Sequence, residues 1–109
     1  MIPSTVRILV CTTPQDMRRS FDGLALAAKQ ELGQDPRSGT LFVFLNKRST
    51  RLKILWWDRN GFCILAKRLH RAVFRLPTAT TDGPLQLDGR ALATLLAGVT
   101  RTRTKRLDS

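Results

Sequence analysis

A chain of 109 residues is long enough for one domain and short for two. Lys and Arg number 19 against 8 Asp and Glu, a formal net charge of +11, yet 42% of the residues are hydrophobic. That apolar fraction excludes a disordered basic tail, and the charge points to a polyanionic partner, nucleic acid before an anionic membrane surface.

The apolar run Val6 to Val10 reads as a buried strand. Thr13-Pro14-Gln15-Asp16 then has the form of a helix start, with Thr13 as cap, Pro14 at the first helical position and Asp16 completing a capping box. Met17, Phe21, Leu24, Ala28 and Leu32 follow at helical spacing, and Gly33 is placed to end the helix before the loop Asp35 to Gly39. Thr40 to Leu45 and Arg51 to Trp57 read as strands joined by the basic connection Asn46 to Thr50. Asp58-Arg59-Asn60-Gly61 signals a hairpin, on the ground that Asn-Gly tolerates positive φ. Phe62 to Leu69 returns as a strand, and a further short strand is expected around Val73 to Leu76. Pro77 to Pro84 reads as a Thr-rich loop, and a second helix starts at Leu87-Asp88 with Leu92, Leu95, Leu96 and Val99 on its apolar face.

The order β-α-β-β-β(-β)-α predicts a small single-domain α+β fold, an antiparallel sheet with the helices packed on one side. Residues 1–99 form this basic domain, and 100–109 are expected to be a flexible basic tail. The N-terminal stretch does not resemble a secretory leader, and no apolar run approaches the roughly 20 residues a membrane helix needs. A bacterial cytoplasmic location without membrane contact is therefore expected, with Cys11 and Cys63 as reduced, buried thiols.

Little in the chain supports catalysis. The lone His70 has no local nucleophile partner and reads as a surface or strand-end residue. Two separated cysteines and one histidine fall short of a zinc set. A metal-dependent nuclease would need converging carboxylates, and of Asp16, Asp22 and Asp58 only Asp22 lacks an assigned structural role. No catalytic residue, metal or cofactor is expected, with the nuclease as the third of three functional readings.

The position of the charge is more informative. Residues 1–39 carry a net +1, residues 40–76 a net +8, residues 77–99 a net −1 and the last ten a net +3. The candidate nucleic-acid-binding residues are Lys47, Arg48, Arg51, Lys53, Trp57, Arg59, Lys67, Arg68, Arg71 and Arg75. Period-two geometry puts Arg51, Lys53, Leu55 and Trp57 on one strand face, opposite Leu52, Ile54 and Trp56. Trp56 is then expected in the core and Trp57 on the cationic face, where it could stack on a base or pack under a helix.

Particular strings carry a resemblance. Pro14 to Leu24 (PQDMRRSFDGL), Leu41 to Phe44 (LFVF), Arg51 to Asp58 (RLKILWWD), Gly61-Phe62-Cys63 and Lys67-Arg68-Leu69 resemble, in order, blocks of the TnpB-like accessory proteins of bacterial insertion sequence family sixty-six. These second-open-reading-frame products are distinct from the RNA-guided TnpB nuclease. The resemblance covers about residue 5 to residue 99 and leaves the tail outside; Ser20 and Asn60 stand where Gly and Asp are usual.

It implies a non-enzymatic protein encoded beside a separate transposase and needed for transposition, and it supplies no site residues. The leading reading is DNA binding through a basic sheet face and hairpin. The alternative is an adaptor that docks on the element's transposase. Oligomeric state is left open.

Overall fold

The computed structural model describes residues 6–77 and 84–100. In chain order the elements are β1 (Ile8–Cys11), α1 (Phe21–Leu32), β2 (Leu41–Leu45), β3 (Arg51–Asp58), β4 (Gly61–Arg68), β5 (Ala72–Val73), β6 (Leu85–Leu87), α2 (Gly89–Ala97) and β7 (Val99–Thr100). Five strands form one sheet in the order β4-β3-β2-β1-β6, and β5 pairs with β7 in a separate two-stranded sheet. The α+β class stands, but the sheet is mixed. β1 and β2 pair in parallel, Ile8 opposite Leu41 and Cys11 opposite Phe44. The other pairings are antiparallel. A helix lies between β1 and β2 in sequence, and it supplies the crossover that parallel neighbours require.

The helices lie on opposite faces of the sheet, not on one. Leu9, Cys11, Phe42, Phe44 and Leu55 pack with Leu24, Ala27 and Ala28 of α1. Ile8, Val10, Val43, Leu45, Leu52 and Ile54 pack with Leu92 and Leu95 of α2. All four residues of β1 are buried as a result. An unbroken apolar run such as Ile8-Leu9-Val10-Cys11 is the sequence form of a strand covered on both faces. Each large side chain buried there contributes about 1.5–3 kcal/mol.

Three boundaries differ from the sequence expectation. Helix α1 begins at Phe21, with Ser20 as N-cap, eight residues after Thr13. The Gln15 N–H donates to Leu45 O (2.8 Å), so this stretch is fastened to the end of β2 and not coiled. Asp16 Oδ1 accepts from the Arg18 N–H (2.9 Å), closing a turn where a capping box was expected. Phe21 is consequently 46% exposed, while Leu24 and Ala28 are buried.

Leu87 belongs to β6, and α2 starts at Gly89 behind Asp88, whose Oδ1 accepts from the Ala91 N–H (2.7 Å). Val99 is not on α2 but in β7, where it is exposed.

At the other end of α1, Gly33 adopts φ 63° and turns the chain out of the helix as expected. The β3–β4 hairpin also forms, with Asp58 opposite Gly61, but its positive φ falls on Arg59 (54°). The expected strand at 73–76 is Ala72–Val73 and joins β7 instead of the meander. Both cysteines are free; Cys11 is buried and Cys63 half-buried on β4. Most of the Thr-rich loop (78–83) and the tail (101–109) lie outside the described residues.

Candidate nucleic-acid interface

Strands β1 and β2 finish, β3 begins and β4 ends at the same end of the sheet. Three connections gather there. The segment 12–20 leaves β1 and is held to β2 through Gln15. The turn 46–50 is built on Asn46, whose Oδ1 accepts from the N–H groups of Thr50 (2.9 Å) and Arg51 (3.0 Å), with Ser49 at φ 58°. The segment after β4 folds back over this turn, through Leu69 N–H to Thr50 O (2.8 Å) and Phe74 N–H to Ser49 O (2.7 Å).

These connections bring cations together. Lys47 and Arg48 are exposed on the turn, Arg18 and Arg19 are exposed in segment 12–20, and Arg71 is exposed beside β4's end. Arg51 and Arg68 face each other directly across β3 and β4. Because the neighbouring Leu69 N–H bonds Thr50 O, Arg51 and Arg68 form a non-hydrogen-bonded pair, the kind in which opposed side chains come closest. Like charges in that position are destabilising. Lys53 Nζ donates to Arg19 O (2.8 Å) and ties the segment before α1 to the sheet.

Gly23 leaves room for this arrangement: a Cβ there would sit 3.1 Å from the Arg19 Cβ. Two clefts open at this end. One, of about 250 Å³, is lined by Met17, Arg51, Lys53, Lys67 and Arg68 among others. Another, of about 340 Å³, is lined by Arg18, Lys47, Arg48 and Arg51 with Gln15, Asp16, Met17 and Asn46.

Among the described residues two carboxylates share this end, Asp16 and Asp22. Asp16 is engaged by Arg18, whose Nη2 lies 2.7 Å from Oδ2. Hydrogen bonds from the Arg18 side chain and backbone hold the Asp16 carboxyl down at about 2. Buried nearby, Cys11 donates to Thr13 O (3.4 Å), and its thiol is pushed up by burial. Asp22 is exposed on the first turn of α1. Among the described residues no three His, Cys, Asp or Glu side chains form a group suited to a metal ion.

The structure gathers Lys47, Arg48, Arg51, Lys53, Arg68 and Arg71 at one end. Arg75 follows Phe74, one residue beyond the contact with Ser49. Lys67 points to the opposite sheet face, and its Nζ donates to Leu96 O (2.7 Å) in the last turn of α2, where a cation complements the helix dipole.

Arg59 sits on the hairpin turn, beyond the seven residue steps of β3 that lead from Arg51 to Asp58, a length of roughly 24 Å. Trp57 is also in the far half of the strand. Its ring meets Phe62 edge-on (5.0 Å, 78°) and is covered by Arg37, Cζ 4.8 Å from the ring centre. Trp56 is half-buried against the α2-side core. A single cationic sheet face is thus not what the fold presents, because α1 covers much of the face that carries Leu55 and Trp57. Arg18 and Arg19 were absent from the candidate set, since a helix starting at Thr13 absorbs them. The signal available was two adjacent arginines between Pro14 and Gly23.

Residues 6–106 match the family described as IS66 Orf2 like protein. The chain belongs to the IS66 Orf2-like family. It is also similar to two proteins of Sinorhizobium fredii (strain NBRC 101917 / NGR234) named as uncharacterized proteins y4jC and y4hO. Each is 38% identical over 101 residues; the alignments cover 93% of this chain and 86% of the first, and 91% of this chain and 87% of the second. No solved structure matches. The family match extends to residue 106, so the basic tail up to Arg106 falls inside it and not beyond, as the sequence strings suggested. Membership ties this IS66 Orf2-like protein to insertion-sequence transposition in an accessory role. No helix among the described residues is long and apolar enough to cross a membrane.

Proposed function

We propose that this IS66 Orf2-like protein is a non-enzymatic transposition factor of the bacterial cytoplasm that binds DNA through the basic end of its sheet. The observation that carries the reading is the Arg51–Arg68 cross-strand pair, two guanidinium groups opposed on one sheet face with Lys47, Arg48 and Arg71 around them. Opposed cations cost stability in the free protein, and a phosphate seated between them would turn that cost into attraction. The N-terminus of α1 opens at the same end and adds its partial positive charge. Contacts of this kind hold the backbone and do not read bases, so the binding expected is strong at low salt and weakly dependent on sequence.

Salt-titrated binding to a duplex and to a single strand tests the reading. Binding that weakens linearly in log affinity against log salt is the expected result. Failure to bind either at low salt overturns it, and retention of the element's transposase by protein that binds no DNA would support the adaptor role instead.

A further inference from the structure

The two edges of the sheet are unlike. Strand β6 offers three residues, whereas β4 offers eight and, among the described residues, is bonded on one side alone, to β3. Edges of that length are normally blunted by charge, proline or a bulge. The stretch Phe62-Cys63-Ile64-Leu65-Ala66 has none of these, and Leu65 on it is 42% exposed.

The register identifies which backbone groups are open. Leu69 N–H to Thr50 O fixes the alternation, so the N–H and C=O groups of Phe62, Ile64, Ala66 and Arg68 point away from β3.

We propose that β4 pairs with β4 of a second copy of this chain, antiparallel about a two-fold axis at Ile64, to give a continuous ten-stranded sheet. Phe62 then lies opposite Ala66 of the second copy, and three of the four outward-facing positions, 62, 64 and 66, find partners, while Arg68 falls opposite the turn residue Asn60. Charge supports this occupant. Lys67 falls opposite Gly61 of the second copy, which has no side chain, and Asp58 stands next across the sheet on the same face. Asp58 is the one acid of the basic segment 40–76, and pairing brings its carboxylate onto the face of Lys67, whose ammonium in the single chain donates only to Leu96 O among the described residues. The basic ends of the two copies come to lie at opposite extremities. The strand length that separates them, roughly 24 Å, exceeds the Debye length of about 8–10 Å at ordinary ionic strength, so the two basic ends are screened from each other, and the one like-charge approach in this register is Arg68 beside Arg59 of the second copy.

The test uses full-length protein freed of nucleic acid at high salt, with mass measured by sedimentation equilibrium and by light scattering. Twice the chain mass is expected in the micromolar range, with a carbodiimide cross-link joining Lys67 of one chain to Asp58 of the other and lost in Asp58→Asn. Ala66→Pro removes an outward N–H and no bond to β3, so it should give a monomer with unchanged far-ultraviolet dichroism. Leu65→Lys, which sets two ammonium groups diagonally across the axis, should do the same. A wild-type monomer throughout that range, or a dimer that survives both substitutions, overturns the proposal. DNA binding does not enter the measurement, so its outcome is independent of the interface assigned above.

Discussion

The two ends of the sheet carry opposite electrostatic designs, the connections 12–20, 46–50 and 69–84 lying at the basic one. At the end where β1 and β2 finish, Arg18, Arg19, Lys47, Arg48, Arg51, Lys53, Arg68 and Arg71 meet, among the described residues, only Asp16 and Asp22. At the other, Arg7, Arg37, Arg59 and Arg90 are interspersed with Asp35, Asp58 and Asp88. The cations at that second end also have structural work: Arg7 donates to Gln34 Oε1 (2.8 Å) and Arg37 covers Trp57. Net charge therefore says less than its placement. The near-neutral end spends its charged groups on the fold, and the basic end concentrates charge that the fold leaves uncompensated.

That contrast can be sharpened without any ligand. Replacing Arg68 by Thr removes one member of the opposed arginine pair and should raise stability by about 0.2–1 kcal/mol at low salt. The gain should shrink as salt screens the remaining charges, which urea unfolding at two ionic strengths would measure. No change at low salt would mean that the pair is not under strain.

A smaller effect concerns Asp16, the acid whose partner at the basic end is already assigned. Its folded-state value of about 2 lies below the ordinary carboxylate range because Arg18 hydrogen-bonds the ionised form. A depressed value means that the stabilisation is complete above the unfolded pKa and fades as pH falls towards 2. A carbon-detected titration of the Asp16 carboxyl should find its midpoint near 2, and Arg18→Gln should move that midpoint back up towards 3.8.

Much of the fold is legible in the residues, and the misreadings have physical causes. The four longest strands and the β3–β4 hairpin follow from apolar runs and turn residues. The parallel pairing of β1 and β2 depends on how α1 crosses over, which no local pattern encodes. The signal for helices on both faces was present in Ile8–Cys11 and Leu41–Leu45, apolar at every position.

Segment 13–16 carries the chemistry of a helix cap, but Gln15 finds a stronger partner in the carbonyl of Leu45, thirty positions away. β5 and β7 are two residues each, too short for periodicity to register. For the site, the central charge run was legible and its division was not. Once the register is known, alternation sends Lys67 to the α2 face and strand length carries Arg59 and Trp57 to the far end.

The proposed interface assigns DNA binding to one end of the sheet and not to the chain's charge as a whole. It is tested most directly by comparing two charge-matched double variants, Arg51→Gln with Arg68→Gln and Arg37→Gln with Arg59→Gln, by fluorescence anisotropy on one duplex over a salt series. The first pair should weaken binding by about tenfold or more at low salt and lower the salt slope by about 2, and the second should leave affinity within about twofold. Equal losses from both pairs would contradict it.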